Sequence, residues 1–247
     1  MFNLLKNKLF LLTLITQIVF ISGLPFRDTA LALSEEEVMQ KLSIITVFTI
    51  ANEQGELLLA QGENQKNVAL LYISQQEAQK ATQQLKQSNP QGNFQVLPVS
   101  LANIYQMVKQ RNGQENTPLL DLIPVKKQVD AAMTLLRQQN QSVNEFAGVP
   151  LFYVTYQQEQ QEVFLTAKNG EQSVIPLYLE KETLQNEIEK VRQQQPDIAS
   201  TFQIRVMPLE NLIGLYEKEN NEAVRKMIVV PSQETLDFLR QLQQQQR

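Results

Sequence analysis

The sequence predicts a layered α/β (α+β) fold made of two pseudo-symmetric halves. Each half is a mixed sheet covered by helices, and the two pack as one body. Three observations carry this reading. Four blocks of sequence recur in one order at a nearly constant offset. Strand-like and helix-like patterns follow the same succession in both copies, and a proline stands at the same strand-to-helix junction in each.

The repeat is direct. "ITVFTIANEQGELLLA" from Ile45 matches "VPLFYVTYQQEQQEVFLTA" from Val149, pairing Phe48 with Phe152. "VALLYISQQEAQKATQQLKQ" matches "VIPLYLEKETLQNEIEKVRQ", pairing Tyr72 with Tyr178. The blocks at Phe94 and Phe202, and those around Pro124 and Pro231, complete the set, with offsets of 104, 106, 108 and 107 residues. This gives a first repeat over 33–145 and a second over 146–247.

Residues 1–32 precede the repeats. Lys6 and Lys8 stand before an uncharged apolar run, Leu9 to Gly23, and Ala30-Leu31-Ala32 supplies a small-x-small site. That order is a secretory signal peptide cleaved after Ala32, and export follows from it. An uncleaved anchor helix is the competing reading. Ser34 and Glu37 then form a capping box, which makes Glu35-Glu36-Glu37 the first turn of a helix rather than a cation site.

Within each half a first strand alternates through Val47–Ile50 or Leu151–Tyr156. A second follows at Leu57–Ala60 or Val163–Ala167. The third, Val68–Ile73 or Val174–Leu179, is almost continuously apolar, as a strand buried on both faces would be. A helix follows, opened in the first copy by the capping box Ser74–Glu77. Ala78, Ala81 and Leu85 recur at helical spacing, as Leu184, Ile188 and Val191 do in the second. A fourth strand (Phe94–Val99; Phe202–Met207) leads to a second helix, Leu101–Lys109 or Leu209–Lys218. A fifth strand ends at Ile123 or Val230. Pro124 and Pro231 suit a helix's first turn because the missing amide is an orphan there. The last helix carries Val129, Ala132 and Leu135, or Leu236, Leu239 and Leu242, on one stripe. "FAGVPLFYVTY" is then the restart: Gly148 and Pro150 break the connection, and Pro150 is tolerable as a strand's first residue. Phe152 is core, with Leu151, Tyr153 and Thr155 on the strand's other face.

Composition narrows the chemistry. The 247 residues include no Cys, no His and no Trp. Thiol nucleophiles, thiolate zinc sites and Ser-His-Asp chemistry are therefore excluded. With only 8 Gly, no glycine-rich phosphate loop occurs. Removing Lys6, Lys8, Arg27 and Asp28 with the leader takes the net charge from −4 to −6, which argues against nucleic acid as a partner. Glu217, Glu219 and Glu222 read as a solvated loop after a helix, and the glutamine tracts as polar surface. No catalytic, cofactor-binding or metal-binding residue is assigned. The candidates for apolar partner contact are Leu151, Tyr153, Ile104, Tyr105, Leu215 and Tyr216, on the view that a duplicated body creates grooves between its halves.

At "GVPLF" (Gly148–Phe152), "VIPLYLEKETL", "VSLANIYQM", "LIPVKKQVDAA" and "PLENLIGLY", the mature chain resembles the Tic-twenty-two family. That family is the soluble component of the inner-envelope protein translocon of chloroplasts, with relatives in cyanobacteria and apicoplasts. The resemblance implies a non-enzymatic, chaperone-like factor for protein transport and outer-membrane protein biogenesis. Its partners would be unfolded precursor proteins and a barrel-type outer-membrane translocon, with room for peripheral membrane association. A bacterial-style leader would place such a protein in the periplasm or thylakoid lumen. A structural scaffold bridging membrane proteins, or a carboxylate-based hydrolase, are the alternatives.

Overall fold

The structure is a computed structural model that describes residues 32–62, 66–111, 118–158 and 161–245. The leader reading lies, but for Ala32, outside the described residues. The first half runs α1 (Glu35–Ser43), β1 (Thr46–Asn52), β2 (Leu59–Gln61), β3 (Asn67–Tyr72), α2 (Gln75–Ser88), β4 (Phe94–Ser100), α3 (Leu101–Arg111), β5 (Leu119–Ile123) and α4 (Lys126–Gln138). The second runs β6 (Pro150–Gln158), β7 (Gln161–Phe164), β8 (Ala167–Asn169), β9 (Gln172–Tyr178), α5 (Lys181–Gln194), α6 (Pro196–Ala199) and β10 (Gln203–Pro208). It ends with α7 (Leu209–Lys218), α8 (Glu222–Lys226), β11 (Met227–Val230) and α9 (Gln233–Gln245).

Strand pairing is the same in both halves. In the first sheet β1 lies between β4 and β3, and β5 runs parallel along the far edge of β3. In the second, β6 lies between β10 and β9, and β11 runs parallel to β9. Registers agree residue by residue. Phe48 pairs with Tyr72 as Phe152 pairs with Tyr178, and Tyr72 pairs with Ile123 as Tyr178 pairs with Val230. Pro150 is the first residue of β6 and sits opposite Pro208, where neither missing amide breaks a ladder interior.

Three local readings change. The expected strand Val163–Ala167 is split: β7 pairs with β6, and β8 then pairs with β9, because the chain crosses from one neighbour to the next near Leu165. The expected polar loop is largely helical. Glu217 closes α7, and Glu222 opens the short α8, which Asn221 caps by accepting from the Val224 amide at 2.9 Å. The Ser34–Glu37 capping box is complete. Ser74 accepts from the Glu77 amide, but Glu77 reaches Lys80 at 2.8 Å instead of returning to the cap.

Alternation along the strands divides the core. Val47, Leu71, Leu151, Ile175 and Leu177 face a central cluster shared by both halves, filled by Val38 and Leu42 of α1, Leu101 and Ile104 of α3, and Leu209, Leu212 and Tyr216 of α7. Their neighbours Phe48, Ile50 and Tyr72, and Phe152, Val154 and Tyr178, face outward on either side. Equivalent backbone bonds tie the central helices to the strands: Leu101 N–H to Ile45 O and Leu209 N–H to Val149 O, both at 2.8 Å. Between halves, Tyr105 donates to Glu217 at 2.8 Å and Lys109 pairs with the same carboxylate at 2.9 Å.

The outer faces are closed by exchange. Helix α4, from the first repeat, packs Ala132 and Leu135 on the second sheet beside α5. Helix α9, from the second repeat, packs Phe238 edge-on to Phe48 of the first sheet, 5.5 Å between ring centroids. Gln128 fixes α4 to α5: its amide donates to Glu182 at 2.8 Å and accepts from the Lys181 amide at 3.0 Å, so a buried polar side chain is satisfied. Reciprocally, the Gln76 amide of α2 donates to Glu234 of α9 at 2.7 Å.

The join between halves rests on one glycine. Gly148 has φ +88°, and a Cβ there would collide with the Glu210 carboxylate. That carboxylate accepts from the Val149 amide at 3.1 Å. Burial pushes the Glu210 carboxyl above its usual value, the hydrogen bonds work the other way, and the charge of Asp121 adds to the rise.

Three outcomes are expected. Residues 33–145 and 146–247, made separately, each lack one of the two helices that cover their own sheet. Each should fail to give a cooperative transition by circular dichroism, while the joined chain unfolds in one. Gly148→Ala should destabilise the chain by about 1–3 kcal/mol in urea titration, combining strained φ with the lost carboxylate contact. Glu210→Gln should raise the melting temperature at pH 7. A raised folded pKa means that stability is whole below the unfolded value and is lost as the carboxyl ionises. The gain should therefore vanish towards pH 4.

Candidate functional site

The candidate contact residues from the sequence do not form one surface. Leu151, Ile104 and Tyr216 are 0%, 4% and 1% exposed and belong to the central cluster, so they cannot meet a partner. The reason is the division above: the face of β6 opposite Phe152 meets the helices shared by both halves. Thr155 on that face is buried too, donating to Glu162. Tyr153 is half-buried with its ring 5.6 Å from Phe164. Tyr105 and Leu215 are also half-buried against the central cluster, and the Tyr105 hydroxyl is taken by Glu217.

Space opens instead on the outer face of the second sheet, on both flanks of α5. A cavity of about 240 Å³ lies between α5, α6 and β10, with Ile188, Ala199, Phe202 and Ile204 as its apolar lining. Gln185 and the Glu189–Arg192 ion pair provide its polar lining. On the other flank a cleft of about 30 Å³ is lined by Val154, Leu165, Tyr178, Leu184 and Val191, with Glu187 among them. Ile188 lines both. The Glu187 Oε1 pairs with Lys190 at 2.7 Å, while its Oε2 is buried and has no hydrogen-bond partner among the described residues. Burial, with the Glu187 charge adding to it, pushes the Tyr178 phenol well above its usual range, so it stays protonated.

Side-chain size explains why these spaces exist. Ala78, Thr82 and Leu85 of α2 stand where α5 has Leu184, Ile188 and Val191. The small residues let α2 lie close on its sheet, and Thr82 folds its hydroxyl back onto Ala78 O at 2.8 Å. The branched residues hold α5 further out and leave its flanks unfilled. The sequence marked Leu184, Ile188 and Val191 only as a buried stripe. The one signal of the cavities was the larger size of that stripe in the second copy.

Among the described residues no group of three or more acids is placed to hold a metal ion, and no helix is long and apolar enough to cross a membrane. The site offers apolar burial with a polar margin, which suits holding side chains of a partner.

Comparison with known proteins gives the lineage. The Tic22-like family model matches residues 21–241. The chain belongs to the Tic22-like family. It is 24% identical over 206 residues to "Protein TIC 22, chloroplastic" of Pisum sativum, covering 82% of this chain and 75% of that one. With "Protein TIC 22-like, chloroplastic" of Arabidopsis thaliana it shares 23% over 175 residues, 69% of this chain and 51% of the other. Among solved structures, Anabaena Tic22, described as a protein of protein transport, superposes with a TM-score of 0.72 at 28% identity. It covers 85% of this chain and 97% of its own. Tic22 of Plasmodium falciparum superposes with a TM-score of 0.64 at 21% identity, over 83% and 97%, which speaks to the fold. The layered α/β architecture of this Tic22-like chain is thus that of its relatives.

Proposed function

We propose that this Tic22-like protein is a non-enzymatic, chaperone-like factor of protein transport that holds precursor segments at the two clefts flanking α5, a small apolar one and a larger one of mixed polar and apolar lining. The observation that carries the reading is that pair of cavities, sharing the Ile188 wall, with a margin of Gln185, Glu189 and Arg192. Apolar lining accepts side chains of an unfolded segment without regard to sequence, and the polar margin lets the site face water when empty. A family whose Anabaena member is described by protein transport supports the same role. The leader, with cleavage after Ala32, would deliver the chain to a periplasm or thylakoid lumen. Precursors bound for an outer membrane and a barrel-type translocon are the partners expected there.

The test is suppression of aggregation. Light scattering of a denatured outer-membrane β-barrel precursor diluted into buffer should fall when the chain is present at equimolar amounts. Leu165→Ser with Phe202→Ser removes two half-buried side chains from the cavity walls. It should weaken suppression about tenfold, the equivalent of about 1.4 kcal/mol. Equal scattering with and without the chain, together with no cross-link to precursor, would defeat the proposal. A chain that binds one folded membrane partner and no unfolded precursor would instead be a scaffold.

A further inference from the structure

Helices α4 and α9 stand at equivalent points of the two repeats in sequence but are not held equally. Gln128, Ala131, Ala132 and Leu135 of α4 stand at the same distances after Pro124 as Thr235, Phe238, Leu239 and Leu242 do after Pro231. Three of the four in α4 are buried: Gln128, Ala132 and Leu135. In α9 only Thr235 is, at 2% exposed, and Phe238, Leu239 and Leu242 are half-buried. The Ala131–Ala132 pair lets α4 lie close to β6 and β10. Phe238–Leu239, bulky at the same two positions, holds α9 off the first sheet.

The polar ties differ in the same sense. Helix α4 is fixed at its start by Gln128 and the Lys127–Glu182 pair, and just past its end by Gln139, which donates to Ile204 O at 2.9 Å. The bonds from α9 to the rest of the described fold lie in its first turn: Glu234 to the Gln76 amide, and the Gln233 amide to Glu180 at 3.0 Å. Arg240 pairs within its own helix, with Asp237. Phe238 of α9 packs into a cluster in which Phe48, Ile50 and Tyr72 are buried and Leu70 and Ile123 half-buried, a cluster that Ala78, Ala81 and Leu85 of α2 share.

We propose that α9 is a displaceable strap over this cluster, and that the cluster takes an amphipathic helical segment of a client in its place. The chemistry of that segment is the one α9 displays: an aromatic–aliphatic pair, a further leucine one turn on, and an acid one turn before to meet the Gln76 amide. This rests on the client-holding role proposed above and assigns that role a second surface, opened by the less tightly held of the two exchanged helices. Local opening of this kind is drawn from elements with few buried apolar contacts.

Hydrogen exchange on the full chain tests the strap without a variant: amides of α9 should exchange at least tenfold faster than those of α4. Equal protection of the two helices overturns the proposal. The surface is tested by locking it. The chain has no native Cys, so Gln76→Cys/Glu234→Cys can be bridged with a short bismaleimide. A dye-labelled peptide of the sequence Pro231–Gln245 should bind the unbridged variant at least tenfold more tightly than the bridged one, and bind Phe238→Ala tightly as well. Equal binding to bridged and unbridged chains overturns it. The two proposals separate in the precursor assay. If the bridged chain suppresses aggregation as fully as the unbridged, clients are held at α5 and the strap is not a gate. If neither suppresses, but the peptide binds only when α9 is free, the displaceable surface stands and the chaperone reading falls.

Discussion

A sheet that gives one face to a shared core must still cover the other, and in this chain neither half does so unaided. The last helix of each repeat lies on the sheet of the other: α4 over Phe152, Val154 and Tyr178, and α9 over Phe48 and Tyr72. Everything else follows from that exchange. The fifth strand of each half must end where the chain can leave its own sheet, which is where Pro124 and Pro231 stand. Polar contacts at equivalent positions then recur at the two helix pairs, Lys127 with Glu182 and Glu234 with the Gln76 backbone amide. Apolar surface is thus buried across the halves as well as within them.

The centre adds a clasp of another kind. Lys41 of α1 donates to the carbonyls of Arg225 and Met227 at 2.6 and 2.9 Å and lies 5.2 Å from the Tyr216 ring centroid. Tyr216 donates to the same Met227 carbonyl at 2.9 Å, and Arg225 returns to Glu37 at 2.8 Å. Burial opposes the ammonium and brings Lys41 down to about 8, against an attraction from Glu37 and a further repulsion from Arg225. Between that value and the ordinary 10.5 the unfolded chain holds a proton that the folded one has released. The contribution of Lys41 to stability therefore grows as pH rises through that window. Its carbonyl contacts give the clasp direction, since α1 and α7 together satisfy the start of β11.

Much of the fold was legible because duplication doubled each signal. Phe48 with Phe152 and Tyr72 with Tyr178 were aligned by sequence, and they proved to be the cross-strand pairs of the two sheets. Capping at Ser34 and the restart at Gly148–Pro150 each name a local conformation, and local chemistry is readable. Pro124 and Pro231 mark the strand-to-helix junctions but stand two residues before the first helical residues, Lys126 and Gln233, rather than in the first turns. What was not legible is whose face a stripe meets. Val129, Ala132 and Leu135 announce a buried side without saying that it lies on the other repeat. Likewise Leu151, Ile104 and Tyr216 could be placed on elements but not on a side of them. The central cluster that buries them is assembled from three helices distant in sequence. The helices α6 and α8 are too short for periodicity to show.

The two sheets solve one packing problem with opposite choices. Each outer face carries one helix with small residues against the strands and one with large residues. On the first sheet α2 has Ala78 and Thr82, and α9 has Phe238 and Leu239. On the second, α4 has Ala131 and Ala132, and α5 has Leu184 and Ile188. A sheet face offers a fixed width, so a helix that sits close leaves room beside it which its partner fills from further out. The stand-off helix is where packing is least complete: cavities flank α5, and α9 leaves its leucines half-covered. Had both helices of a sheet been small-faced or both bulky, the face would be either over-open or sealed. A close helix stands beside a distant one on each sheet, and divergence of the two copies put the less completely packed helix at a different place in each half.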